Sequence, residues 1–351
     1  MRGRASALSR RGALAGLGAA PFVRARAATM PTLTVCGFHG PFQKAFQAAV
    51  IAPFLRLHPG VAVVYRPIMN SAQLLALLRL ERAAPRIDVA IADISISILA
   101  TAEQLLAPLS DGEVPNRAAI PDWGRGRNFN GLAFSRDNLA LVYDSRAIPA
   151  APESWMDLGR PALVDQVCMP VEDTRGVALL PVLTRMAGGD YRASIDPGLA
   201  LMRRFAPNVA SWNAQPDLYT LLLAQTAALG VGWNGRGQMI GRANPGTIRA
   251  VIPREGSVAQ INTINLAAGS AHAALGATFI DHALSVETQA AFARMAFYGP
   301  TNAQVVLPES LSDGIFGGPA VAAREMHLDW TFISAHYGNW IRRIQREVIS
   351  A

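Results

Sequence analysis

Short apolar runs alternate along the chain with stretches whose apolar positions recur every three or four residues, the rhythm of an α/β protein. Leu33-Thr34-Val35-Cys36 predicts a first strand, Val61-Ala62-Val63-Val64-Tyr65 a second, and Ile87-Asp88-Val89-Ala90-Ile91-Ala92 a third that ends at Asp93. Between the first two, Phe46, Val50, Phe54 and Leu55 recur at helical intervals until His58-Pro59-Gly60 stops the helix. Ser71 stands as an N-cap for a helix over 72–82. Near-continuous apolar strands separated by helices predict a parallel sheet covered on both faces. After an irregular span at 101–135, Leu139-Ala140-Leu141-Val142-Tyr143-Asp144 predicts a strand crossing from a first lobe to a second, and 258–266 a strand that returns. Helices are expected over 177–186, 198–205, 271–284, 286–296 and 331–349. The last carries Phe332, Ile333, Tyr337, Trp340, Ile341 and Ile344 along one face, which reads as core.

Residues 208–238 hold two further strands, and each ends on a tryptophan, Trp212 and Trp233. Pro216 suits the first position of the helix between them, where its missing N–H costs nothing, and Asn234-Gly235 reads as a turn. Strand carboxyl ends open into the ligand crevice of an α/β sheet. The two indoles therefore stand either as a clamp for an organic ligand or as core filling. Gln260 and Asn262, two residues apart on the returning strand, share one side of it. Asp93 reaches the same edge, where a carboxylate receives an ammonium or caps the segment that follows. Asn70 and Ser71 present the same pair of readings. The strand at 164–169 leads into Pro170-Val171-Glu172-Asp173-Thr174-Arg175-Gly176, so the next helix starts beside several polar groups.

The first 27 residues change the reading of charge. Arg2, Arg4, Arg10 and Arg11 precede a mildly apolar run, and Ala25-Arg26-Ala27 offers a small-residue cleavage site, the layout of an export signal. Ser9-Arg10-Arg11-Gly12-Ala13-Leu14 resembles the twin-arginine motif, departing from it at Ala13 and Ala15, so Sec export stays open. This segment holds six arginines and no acid, and without it the formal charge falls from +7 to +1. The basic balance thus belongs to the address label, and no nucleic-acid partner is expected. Residues 28–351 suffice for two lobes with their own cores. Cys36 and Cys168 fall in strands assigned to different lobes and are expected as free, buried thiols.

Several segments in order resemble the periplasmic solute-binding proteins of ABC importers, in the branch of the spermidine/putrescine-binding proteins. They are Leu141-Val142-Tyr143-Asp144 with Pro152-Glu153-Ser154-Trp155-Met156-Asp157-Leu158, Gly230-Val231-Gly232-Trp233-Asn234-Gly235, and Pro253-Arg254-Glu255-Gly256-Ser257-Val258. Ser285-Val286-Glu287-Thr288-Gln289 and Tyr298-Gly299-Pro300-Thr301-Asn302 continue the series. The resemblance implies an α/β, two-lobed type 2 periplasmic-binding fold, with crossing hinge strands and a cleft between the lobes. Its lobes are 28–138 with 264–351, and 139–263, behind an export signal at 1–27. It implies a monomer in the periplasm, cleaved near Ala27, that takes a small-molecule solute to the transmembrane subunits of an ABC permease without a cofactor.

Ligand contacts are expected at Phe38, His39, Asn70, Asp93, Asp173, Thr174, Arg175, Trp212, Trp233, Asn234, Gln260 and Asn262. Among them the resemblance matches Trp233 to an aromatic wall of the polyamine pocket, Asp173 to its acid and Phe38 to its loop aromatics. Phe42 lies in the same loop as Phe38. Three positions depart from the polyamine pocket: Gly176 stands where a glutamate is expected, Gln260 where a tryptophan is, and Asn262 where an aspartate is. A buried dication needs paired carboxylates, so a less charged solute is expected, such as a monoamine, an amino acid derivative or a zwitterion. Arg175, at a helix start, either holds the carboxylate of such a solute or pairs with Glu172 or Asp173.

Other chemistries find less footing. No histidine pair has the HExxH spacing, no cysteine pair has metal-ligand spacing, and no GxSxG elbow occurs. The tyrosines are isolated in sequence, unlike the adjacent pair that ferric-iron binders present. An enzyme on the same scaffold would use His39 with Asp93 or Asp173 as acid and base. A sensor that meets a receptor instead of a permease has the same sequence signature.

Overall fold

The computed structural model describes residues 30–126 and 128–350, so the export signal expected at 1–27 lies outside the described residues. Residues from Pro31 onward form one compact unit. Its sheet is built from β1 (Thr32–Phe38), β2 (Ala62–Ile68), β3 (Val89–Asp93), β4 (Leu106–Ala107), β5 (Leu132–Asp144), β6 (Val167–Cys168), β7 (Val209–Ser211), β8 (Leu229–Trp233), β9 (Ile248–Val251), β10 (Ala259–Ala267) and β11 (Gly299–Pro300). The main path runs β2-β1-β3-β10-β5-β8-β6-β7.

Both ends of that path are parallel, β2-β1-β3 on one side and β8-β6-β7 on the other. Antiparallel β10 and β5 join them. The thirteen residues of β5 divide their pairing: Leu132–Asn138 lie against β10, and Leu139–Asp144 against β8 and β9. The strand expected only at 139–144 thus begins earlier, inside the span read as irregular, because Ala133 and Phe134 have a buried core to enter. Every residue of β3 is buried, which accounts for its unbroken apolar run.

Local chemistry sets the helix starts, and several differ from the expected places. Asn70, not Ser71, caps the helix Ser71–Leu80, accepting the Gln73 N–H at 2.9 Å. Ser71 is left free to accept the Asp93 N–H at 2.9 Å. Pro216 follows a cis peptide bond and stays outside the helix Leu218–Leu223, which Asp217 caps through the Thr220 N–H at 2.8 Å. Asn234-Gly235 opens a helix, Asn234–Ala243, instead of closing a turn. The C-terminal helix, Trp330–Ile344, packs on both the helix Ile94–Ala102, which follows β3, and the helix Thr174–Met186.

Cys36 and Cys168 are both buried and unpaired, and burial raises their thiols to about 12 and about 11. Among the described residues no helix is long and apolar enough to cross a membrane.

Candidate functional site

A cavity of about 490 Å³ opens where the carboxyl ends of β1, β3 and β8 meet β10. It takes its polar floor from β3 and β10, which run antiparallel with Asp93 opposite Asn262. Alternation along β10 turns Gln260 and Asn262 toward this cavity. Ala259 and Ile261 line another, of about 470 Å³, on the reverse face. That reverse cavity is walled largely by apolar side chains, and its Arg136 is paired with Glu325 at 3.2 Å. The polar groups singled out from the sequence, Asn234 excepted, converge on the first cavity.

Asp93 is its buried anion. Thr174 donates its hydroxyl to Asp93 Oδ2 at 2.8 Å, and Gln260 Nε2 donates to Asp93 Oδ1. Gln260 Nε2 also reaches Asn262 Oδ1 at 3.2 Å, and Asn262 Nδ2 donates to Ser135 Oγ at 3.1 Å. Burial raises the Asp93 carboxyl to about 7, against the opposing pull of the hydrogen bonds from Thr174 and Ser71.

Asp173 caps the helix Thr174–Met186 through the Arg175 N–H at 2.9 Å. The Arg175 guanidinium folds back on the same carboxylate, with Nε at 3.0 Å from Oδ1 and Nη2 at 2.6 Å from Oδ2. Of the two roles open to Arg175, the ion pair with Asp173 is the one formed, and only Nη1 is left without a described partner. Gly176 has a packing cause: a Cβ there would sit 1.9 Å from the Val171 carbonyl oxygen, so no acid fits at that position.

The aromatic wall is assembled from distant parts of the chain. Tyr219 clamps the Trp233 backbone, accepting its N–H at 2.8 Å and donating to its carbonyl at 3.1 Å. Arg236 lies over the Tyr219 ring at 4.8 Å and reaches Asp217 at 2.5 Å, while its buried Nε has no partner. Phe38 meets Phe42 edge-on at 5.3 Å, and Phe42 meets Tyr298 at 5.7 Å. Behind this wall the buried Asp137 accepts the Gly235 N–H at 2.8 Å, and burial raises its carboxyl to about 8.

Ten of the twelve residues proposed from the sequence line the cavity. Trp212 and Asn234 do not. Trp212 is half-buried against the core. The Asn234 amide donates to the Gly314 and Ile315 carbonyls, at 2.8 and 3.1 Å, on the far side of the helix start. Tyr219, Tyr298, Tyr337, Arg236 and Arg342 also line the cavity and were not anticipated. Tyr337 belongs to the C-terminal stripe read as core. Ile333, Trp340 and Ile344 are buried there, while Tyr337 and Ile341 turn to the cavity.

Three tyrosines isolated in sequence therefore share one site. Burial raises all three phenols, so they stay neutral at pH 7. Among the described residues no group of His, Cys, Asp and Glu is placed to hold a metal ion. Burial and the nearby Arg236 lower the His39 imidazole, and its side chain makes no described hydrogen bond to Asp93 or Asp173.

A family model described as bacterial extracellular solute-binding protein matches residues 49–316. The γ-aminobutyric acid-binding protein of Pseudomonas aeruginosa is 23% identical over 321 residues, covering 85% of this chain and 86% of that protein. The binding protein AgtB of A. tumefaciens R10, solved with agropinic acid, superposes with a TM-score of 0.77 at 20% identity. That match covers 92% of this chain and 99% of the other. A spermidine/putrescine transporter substrate-binding protein of Streptococcus pneumoniae gives a TM-score of 0.70 at 16% identity, covering 90% and 99%. At such identities the solved structures establish a shared fold.

Proposed function

The chain belongs to the bacterial extracellular solute-binding protein family, the solute-capturing components of ABC transporters, and from that premise we propose that it captures a small solute carrying a single ammonium group, an amino acid derivative or a monoamine. The observation that carries this reading is Asp93, the buried carboxylate at the floor of an aromatic-walled cavity. Of the other acids that line it, Asp173 is paired with Arg175, and Glu172 is half-buried and accepts from the Gln345 amide at 3.1 Å. One buried, unpaired negative charge matches one positive charge, and a second would find no equally buried carboxylate. Relatives named for γ-aminobutyrate and for polyamines bracket this choice of charge. Arg236 and Arg342, on the same cavity, supply N–H groups for a carboxylate on the solute.

The two lobes are residues up to 138 with 264–351, and 139–263, and they shut over the solute. The Thr174–Asp93 hydrogen bond crosses that division and belongs to the shut form. The shut form is what the permease receives. Isothermal titration against γ-aminobutyrate, other amino acids, monoamines, putrescine and spermidine tests the reading. At least one singly charged amine should bind with micromolar or tighter Kd, and the polyamines at least tenfold more weakly. Polyamines binding tightest, or no amine binding at all, would refute it.

Export places the mature chain in the periplasm. The intact mass of protein recovered from that compartment should correspond to cleavage near Ala27, and a full-length mass would contradict this.

A further inference from the structure

Three arginines line the solute cavity, and two of them are already committed to acids of the protein. Arg175 is held by Asp173 at 2.6 Å, and Arg236 by Asp217 at 2.5 Å. Among the described residues no acid or carbonyl partners the Arg342 guanidinium, although it stands on the same wall. Four residues before it, in the interior of the helix Trp330–Ile344, comes Gly338, which lines the cavity too. Glycine is a poor former of helix interiors, and here no positive φ and no close backbone approach explains it. Apart from the helix's own backbone, a Cβ at 338 would meet one group within 4 Å, the Arg342 Nη1 at 3.3 Å. Long side chains on a helix lean back over the preceding turn, so this guanidinium lies tight against the space that a side chain at 338 would take. Gly338 thus lets Arg342 fold back along the cavity-lining side of the helix.

The Tyr337 phenol, one residue before Gly338, interacts with both Thr174 and Asp93, so this turn of the helix stands near the buried carboxylate. Asp93 offers the cavity its buried negative charge, and Arg342 a positive charge not spent on the protein's own acids. Glu172, on the same cavity, accepts from the Gln345 amide at 3.1 Å and forms no described ion pair with Arg342. A zwitterion meets both charges at once, and a guanidinium suits its carboxylate because its N–H groups pair with the two oxygens. We propose, resting on the amine reading above, that the solute is an amino acid whose carboxylate is held by Arg342 over the clearing at Gly338, and that Gly338 is a positioning residue for that guanidinium.

The test compares γ-aminobutyrate and δ-aminovalerate with their amides, which keep the length and the ammonium but lack the carboxylate charge. Titrations use the full-length mature protein, Arg342→Gln and Gly338→Ala. The wild-type protein should bind at least one acid fivefold or more tightly than its amide. Arg342→Gln should bring that ratio below twofold, with the loss falling on the acid. Gly338→Ala suits a helix better but crowds Nη1, and it should narrow the ratio at least twofold. A general loss of structure would weaken acid and amide alike and leave the ratio where it was. A wild-type ratio under fivefold overturns the carboxylate subsite while leaving the amine reading standing. A ratio of twofold or more in Arg342→Gln overturns the role of Arg342, and a narrowing of less than twofold in Gly338→Ala overturns that of Gly338. If none of the four compounds binds, this inference falls. Propylamine and butylamine in the same titrations then separate the two readings, because binding of either keeps the amine reading standing.

Discussion

Asp93→Asn is expected to separate binding from stability in opposite directions. Removing the one charge that faces the solute's cation leaves that cation buried without a counter-charge, so affinity should fall by about two orders of magnitude or more. The unliganded protein should become more stable at pH 8. The sign follows from the carboxyl being raised from 3.8 in its ordinary state to about 7 in the folded one by burial. Between those values the folded chain binds more protons than the unfolded chain, so this group's contribution to stability falls as pH rises. It is most favourable below pH 4 and flattens above 7. Of the charged and polar groups that face Asp93, Asp173 adds to the rise and Thr174, Ser71 and Arg175 oppose it, while Gln260 donates to Oδ1.

An asparagine has no charge to bury, so it should gain on the order of a few kcal/mol over wild type at pH 8 and nothing near pH 4. Part of the downward slope should persist in the variant, because Asp137 is also raised, to about 8. Denaturant unfolding of both proteins at pH 4.5 and pH 8 measures the effect. Curves that stay parallel across that range would refute the account of Asp93 as a buried, destabilising anion kept for its function. The solute's cation favours the charged carboxylate, so wild-type affinity should also weaken as pH drops below 7, while the variant's residual affinity should not.

Much of this site was legible from spacing. The period of two on β10 put Gln260 and Asn262 on one face, and the structure turns both to the cavity with Ala259 and Ile261 to the other side. Asp93 was legible as a polar residue ending an apolar run, and strand ends are where an α/β sheet opens to ligand. What spacing could not show was which distant groups meet at that edge. Tyr219 sits among the leucines of a short amphipathic helix, and only the packing of that helix on β8 brings its hydroxyl to the Trp233 backbone. Tyr337 and Ile333 are four residues apart on one helical stripe, yet the first faces the cavity and the second is core. The helix passes between two others that leave an opening beside Tyr337. Helix starts failed for a related reason. A carboxylate at Asp217 competes with Pro216 for the first turn and wins through a hydrogen bond that the proline cannot make.

The two tryptophans that looked equivalent in sequence should behave differently. Trp233 lines the cavity, its backbone held at both N–H and carbonyl by Tyr219, so its ring is presented to the solute by a fixed main chain. Trp212 follows β7, the strand at the edge of the sheet, and packs against the core without lining the cavity. Trp233→Ala removes a π face from the cation's surroundings and a large apolar contact, and affinity should drop roughly 10- to 100-fold, the effect of about 1–3 kcal/mol. Trp212→Ala should change affinity no more than about twofold, while costing stability through lost packing. Titration of tryptophan emission reads both effects at once. The solute-induced change should survive in Trp212→Ala and vanish in Trp233→Ala. Equal losses of affinity in the two variants would mean that the indoles act as a pair, and that the solute lies nearer β7 than the cavity floor at Asp93 allows.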